Sequence, residues 1–446
     1  MLDRRKFLLG TCGSLASLMG LNRDLSFAQA ERPPWIHKGT LDLSKFVVKD
    51  NRVFLYTFGE EDHVCACWEM PSCKLVEKFK APISREGSVL QIINFVPEFP
   101  PSPYRTTAAG TFAEPMFEAE DATLYLLQFE QRRWYKLGSP GWVAGMQTFG
   151  WLAPDRIAYR VADEENRGRF VIQTAVLKEG RVIPDKRCYV PLQISFPIYW
   201  DYRGDNLRLL YASFTEKSFH NAKLDLKLQD KQLDDLELYE YRLLLERVLC
   251  DKLSLAVLDL RANKLIESRT VYPTREVERN LLDKQGEFSV SPVAYNPREK
   301  KLYVLTSHNY LVLAEESLTV ESAVPLRIVI SLDEKKVAPP NSVMSVVDMA
   351  GQYLAVAATV FGPVCVVSLP KRALVLEDGT HSARILRTFQ DVDFPLAVIR
   401  TEIHDMIFIP QTSLLAVITG TGDLYLYNVE KGRLERRVLL AQSFLK

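Results

Sequence analysis

The sequence predicts an all-β chain made of seven copies of one four-stranded antiparallel unit. Two observations carry that expectation: short apolar strands separated by tight polar turns, and recurrence of this pattern along the chain. The clearest copy runs from 292 to 313. There a turn over 297–301 leads into the apolar run 302–306, and Ser307-His308-Asn309 leads into 310–313. A second spans 403–434, with apolar runs at 403–410, 414–418 and 424–427 separated by Gln411-Thr412-Ser413 and Gly420-Thr421-Gly422-Asp423. Each reads as strands joined by hairpins. Weaker copies lie at 150–159, 253–265 and 347–357, and 64–76 fits the third and fourth strands of the same unit.

Units at this period, roughly 50 to 60 residues against the ~40 to 45 of a WD repeat, resemble the blades of a β-propeller of the broad WD-repeat and YVTN type. The resemblance covers most of 42–446 and implies one ring of seven four-stranded blades. It is a likeness of architecture, because no Gly-His dipeptide occurs and Trp200-Asp201 precedes a turn. Ring closure is expected to bring the C-terminal strand 436–440 to the first blade near 45–56, since a propeller leaves only short, protected edges.

Two stretches break the rhythm. Residues 95–103 hold four prolines and read as a rigid loop that cannot pair within a sheet. Residues 216–249 read as an inserted, partly helical excursion from the fourth blade. Leu224, Leu226 and Leu228 alternate, and Leu233, Leu236, Tyr239 and Leu243 then fall at helical spacings.

The N-terminus carries an address. Arg4 and Arg5 stand ahead of an apolar stretch over 7–21, and Ala28-Gln29-Ala30 follows, which is the order of a cleavable leader. The segment Asp3-Arg4-Arg5-Lys6-Phe7-Leu8-Leu9 resembles the twin-arginine (Tat) export signature and implies a periplasmic destination. Cleavage after Ala30 gives residues 1–30 as signal peptide and 31–446 as a single domain. The apolar stretch falls short of the ~20 residues that span a bilayer, so no integral membrane segment is expected in the mature protein.

In the whole chain 56 basic and 56 acidic residues cancel. The leader would remove four basic residues (Arg4, Arg5, Lys6, Arg23) and two acidic ones (Asp3, Asp24), leaving a nearly neutral surface. That balance excludes nucleic acid as an expected partner, since phosphate binding needs clustered positive charge. Six cysteines, Cys65, Cys67, Cys73, Cys188, Cys250 and Cys365, remain after cleavage, too few in a chain this long for a disulfide-stapled scaffold.

The one cluster with metal-ligand chemistry is His63, Cys65 and Cys67. Alternate positions on a strand put all three side chains on one face, and an imidazole with two thiolates could bind zinc or copper given a fourth ligand. The competing interpretation is that both cysteines are small apolar fillers between blades. No c-type haem motif, metalloprotease helix, nucleophile elbow or phosphate loop occurs, so no cofactor and no catalytic residue is identified. Two functions follow as expectations. One is a periplasmic protein-binding or assembly subunit with a protein partner. The other is a propeller enzyme or oxidoreductase subunit, lactonase-like or like the heavy subunit of amine dehydrogenases, with a transition metal.

Overall fold

The computed structural model describes most of residues 30–442. Residues 1–29 and 443–446 and several internal stretches, the longest being 274–293 and most of 232–251, lie outside the described residues. Arg4 and Arg5 therefore fall outside them. The described chain is an all-β propeller with very little helix. It contains seven four-stranded antiparallel sheets, each formed by strands consecutive in sequence except in the sixth, where a small hairpin intervenes.

The first sheet comprises Leu41–Lys49, Arg52–Gly59, Val64–Met70 and Lys74–Lys80, so 64–76 does supply third and fourth strands. The seventh comprises Ile403–Phe408, Leu414–Thr419, Asp423–Asn428 and Arg433–Leu439. Between them the second sheet starts at Val89–Val96, the third at Phe149–Ala153, the fourth at Phe196–Arg203, the fifth at Ala294–Asn296 and the sixth at Val343–Val347. Side chains are described through most of the first, third, fourth, fifth and seventh sheets, in part of the sixth, and not in the second.

The packing explains why the middle strands read as continuous apolar runs. In the seventh sheet Ala416, Ile418, Leu424 and Leu426 pack against Leu55, Ala66 and Trp68 of the first. The alternating residues Leu415, Val417, Tyr425 and Tyr427 pack against Ala355, Ala357 and Val366 of the sixth. A sheet covered on both faces needs apolar residues at every position. Equivalent cores join the third sheet to the fourth and the fourth to the fifth. Outer strands alternate instead: Lys74–Lys80 turns every second side chain to solvent, Val76 among them.

Closure differs from expectation. Residues 436–440 do not join the first sheet. Arg433–Leu439 pairs antiparallel with Asp423–Asn428 through a tight turn at Gly432, which completes its own sheet. The N-terminal segment crosses the seam instead: Glu31 forms a parallel bridge with Val438, and His37–Lys38 pairs parallel with Ala441–Gln442. Leu41 N–H then donates to Gly420 O (2.7 Å) and Leu440 N–H to Gly422 O (2.7 Å), lacing both chain ends to one turn of the seventh sheet.

The excursion lies between the second and third strands of the fourth sheet, and its helix comes earlier than the spacing predicts. Helix α1 is Glu216–Asp225. Leu224 sits in its last turn, and Leu228 closes it by donating to Lys223 O at 2.8 Å after Lys227 enters the left-handed region. The alternation of Leu224, Leu226 and Leu228 is therefore a helix end and its cap, not a strand. In the latter half only Glu240 and Leu244 are described; both are helical, and Leu244 is fully buried. The proline-rich loop also starts later, because Phe95 and Val96 pair with Ala108 and Thr107; residues 97–106 lie outside the described residues.

Gly422 (φ +83°) leaves no room for a side chain, since a Cβ there would lie 2.7 Å from the Ala441 nitrogen. Gly204 (φ +61°) is open, with nothing within 4 Å. Gly204→Ala is expected to cost about 1 kcal/mol from the backbone alone, and Gly422→Ala about 3 kcal/mol or more because backbone must move as well. Urea unfolding of the two variants separates the two contributions.

Candidate functional site

Three polar constellations lie within the described residues, and each is built from turns and strand ends that the fold brings together. The first sits where the ends of the chain meet. His37 is fully buried; its Nδ1 lies 3.2 Å from both Asp62 oxygens and its Nε2 2.7 Å from Thr57 Oγ1. The Trp68 indole N–H donates to the same hydroxyl at 2.8 Å. With Nδ1–H aimed at the carboxylate, Nε2 accepts from Thr57, which in turn accepts from Trp68, so every polar group in this pocket has a partner. Burial works against the Asp62 carboxylate. The His37 hydrogen bond, with the backbone N–H groups of Lys38 and Val64, outweighs it and holds Asp62 below the usual carboxylate range. Trp35 stacks on Trp68 (5.8 Å between ring centroids) and meets His37 edge-on (4.7 Å).

The second constellation follows the inner strands of the first and seventh sheets. Asp405 accepts from Lys45 Nζ (2.9 Å) and from the Phe46 backbone N–H (2.7 Å), so a side chain of one sheet caps the inner edge of the next. Beside it His404 Nδ1 lies 3.4 Å from Ser44 Oγ, and burial pushes this imidazole down to about 4.

The third rivets the fourth sheet to the fifth. Asp201 is bound by Arg208 through both carboxylate oxygens, with Nε at 2.7 Å. Arg203 Nε (3.1 Å) and the Tyr199 hydroxyl (3.1 Å) donate to it as well. Arg208 continues to Glu315 O at 2.9 Å, while the Glu315 carboxylate takes Arg203 and the Tyr295 hydroxyl (2.7 Å). Burial raises Tyr199 and Tyr295, keeping both hydroxyls protonated as donors. Donors and acceptors here are committed to one another, which fits a buried ionic joint and leaves no free nucleophile or base.

The predicted metal cluster is divided. Cys65 and Cys67 occupy one face of Val64–Met70 as the alternation requires, and both are buried. His63 does not continue that strand: it adopts φ +51° in the preceding turn, next to Asp62, which accepts the Val64 N–H. Burial pushes the Cys65 thiol well above its ordinary range and the Cys67 thiol up to about 11. Both are unpaired thiols, as are Cys73 and Cys188, and all four are buried. Among the described residues no group of three or more His, Cys, Asp or Glu side chains is placed to hold a metal ion, and no helix is long and apolar enough to cross a membrane.

Sequence reasoning singled out none of the three constellations; those missed at the seam are His37, Thr57, Asp62 and Trp68. They lie on separate strands and turns with no common period. The available signal was compositional: a buried-type Trp and Thr on adjacent strands, and an Asp in the turn between them.

No family profile matches the chain, and no characterised protein matches it by sequence. Solved structures do align with it. Kluyveromyces lactis Hsv2 matches at 10% identity over 90% of this chain and 99% of that one, with a TM-score of 0.44. Sqt1 of Saccharomyces cerevisiae matches at 10% identity over 92% and 88%, with a TM-score of 0.44. Raptor of Chaetomium thermophilum matches at 12% identity over 90% of this chain (TM-score 0.44), which spans 29% of that protein's length.

His404 sets a pH dependence. Its ordinary value is near 6.5 and its folded value about 4, so between these the unfolded chain takes up a proton that the folded chain refuses. Stability is therefore full above pH 6.5 and falls as pH drops toward 4, by about 3 kcal/mol at most. His404→Gln should flatten that slope in denaturant titrations across the window. Thr57→Val should cost about 2 to 4 kcal/mol at neutral pH, because it strands the His37 and Trp68 nitrogens without partners; the same titration measures it.

Proposed function

We propose that the seven four-stranded sheets are the blades of one closed ring that serves as a protein-binding or assembly subunit in the periplasm after twin-arginine export. Described side-chain packing joins the first, sixth and seventh sheets to one another and the third, fourth and fifth to one another. For the second and sixth, strand order and contacts of their first strands with those of the first, fifth and seventh sheets supply the support. The observation that carries the binding function is the excursion after residue 213. It is inserted between two strands of the fourth sheet, holds an internal Lys231–Glu240 ion pair (2.6 Å) and buries Leu244, and it leaves Leu224 47% exposed. An amphipathic element on a rigid frame suits a helix-in-groove contact with another protein. Ile183, Tyr189 and Ile266 on the outer strands of the third and fourth sheets are exposed as well.

A second function, a metal-dependent propeller enzyme or oxidoreductase subunit, has one observation in its favour: His63 Nδ1 is buried without a hydrogen-bond partner. It requires one equivalent of zinc or copper that is lost in His63→Ala.

The tests are direct. Leu224→Asp should leave the melting temperature of the ring within a few degrees while abolishing recovery of a stoichiometric partner from periplasmic extract, and deleting 229–248 should abolish that recovery as well, with a lower melting temperature because buried Leu244 is lost. Retained partner with either variant overturns the docking role. Replacing Arg4 and Arg5 together by lysine should leave the protein in the cytoplasmic fraction.

A further inference from the structure

The Ala28-Gln29-Ala30 cleavage motif ends one residue before the first residue that the fold holds. Glu31 N–H donates to Arg437 O at 3.0 Å and Leu439 N–H donates to Glu31 O at 2.9 Å, so both backbone groups of Glu31 are spent on the edge of Arg433–Leu439. Its carboxylate is gripped by Arg436 through Nε (2.9 Å) and a terminal nitrogen (2.6 Å), and the same guanidinium donates to Pro71 O (3.2 Å) across the seam. An endopeptidase binds its substrate as an extended strand and needs the backbone groups on both sides of the cut for itself.

We propose that the Ala30–Glu31 bond is a processing site gated by ring closure: it is cut only while the clasp between Glu31 and 436–439 is open. The proposal rests on the reading of 1–30 as an export leader. In the reaction water adds to the Ala30 carbonyl carbon and the bond to the Glu31 nitrogen breaks. The leader departs with a carboxylate on Ala30 that carries the water oxygen, and the Glu31 nitrogen takes up both protons of that water to become an ammonium. The resulting ammonium still reaches Arg437 O, so the mature chain keeps the whole clasp, whereas a cut even one residue later would discard it. Cleavage of a closed structure proceeds through its transiently opened fraction, so the rate reports the clasp equilibrium.

The experiment uses the folded full-length chain and a leader peptidase, in detergent micelles, that demands small residues at the first and third positions before the cut. The comparison is a variant with Gly-Ser-Gly-Ser inserted between Ala30 and Glu31. The insertion moves the scissile bond clear of the clasp without touching it, and an unchanged melting temperature verifies that the ring is intact. Cleavage of the natural chain should be at least about 10-fold slower than that of the insertion variant, and low urea should narrow the gap. Equal rates in the folded state overturn the gating while leaving the leader reading in place. Failure of the peptidase to cut either chain, folded or in urea, overturns the leader reading and the proposal together.

Discussion

The seam between the first and seventh sheets is the constraint on which the ring depends. The described middle strands are apolar on both faces, so a joint opened between two of these sheets would expose two such faces together. The other joints are made by residues near in sequence, but this one must unite residues 31–41 with 420–442. It is held by hydrophobic packing through Trp68 and Leu424, by parallel pairing on the outer edge, and by the buried relay from Trp68 through Thr57 and His37 to Asp62. The relay supplies direction where packing supplies affinity. A histidine with one ring nitrogen fixed by a carboxylate presents the other in a single orientation, and so selects one register of the incoming segment.

Ionic contacts elsewhere have a similar task. Asp405 reaches over the inner edge of Leu41–Lys49, and the Asp201–Arg208–Glu315 joint ties two sheets whose apolar contact is already extensive. Buried pairs of this kind add little net stability over well-packed apolar residues, yet they penalise misaligned neighbours heavily. In a ring of similar sheets, that penalty helps each sheet find its own neighbour.

How much was legible in the sequence followed from how local the determinant is. Hairpins declare themselves through their turns, so the strands of the seventh sheet follow the apolar runs around Gln411-Thr412-Ser413 and Gly420-Thr421-Gly422. The alternation of Cys65 and Cys67 also held, because it belongs to one strand. His63 did not, since its positive φ is fixed by the turn and by the Asp62 side chain, not by strand period. The closing segment was illegible for the opposite reason: its partners lie 20 to 25 residues away within the first sheet and 405 residues away across the seam. In the excursion the leucine alternation was real but meant a helix end, because the Lys227 backbone turn lies outside any periodicity.

The distance in sequence between Glu31 and Arg436 also has a meaning in time. On a ribosome that adds about 5 to 20 residues per second, the N-terminal segment emerges roughly 20 to 80 seconds before the strand it must meet. Throughout that interval Trp35 and His37 have only the first sheet to rest against, and the outer edge they will share does not yet exist. The pairing of residues 31–38 with 436–442 thus comes late in synthesis, and a chain stopped short of residue 436 has the earlier sheets without the contacts that join their two ends.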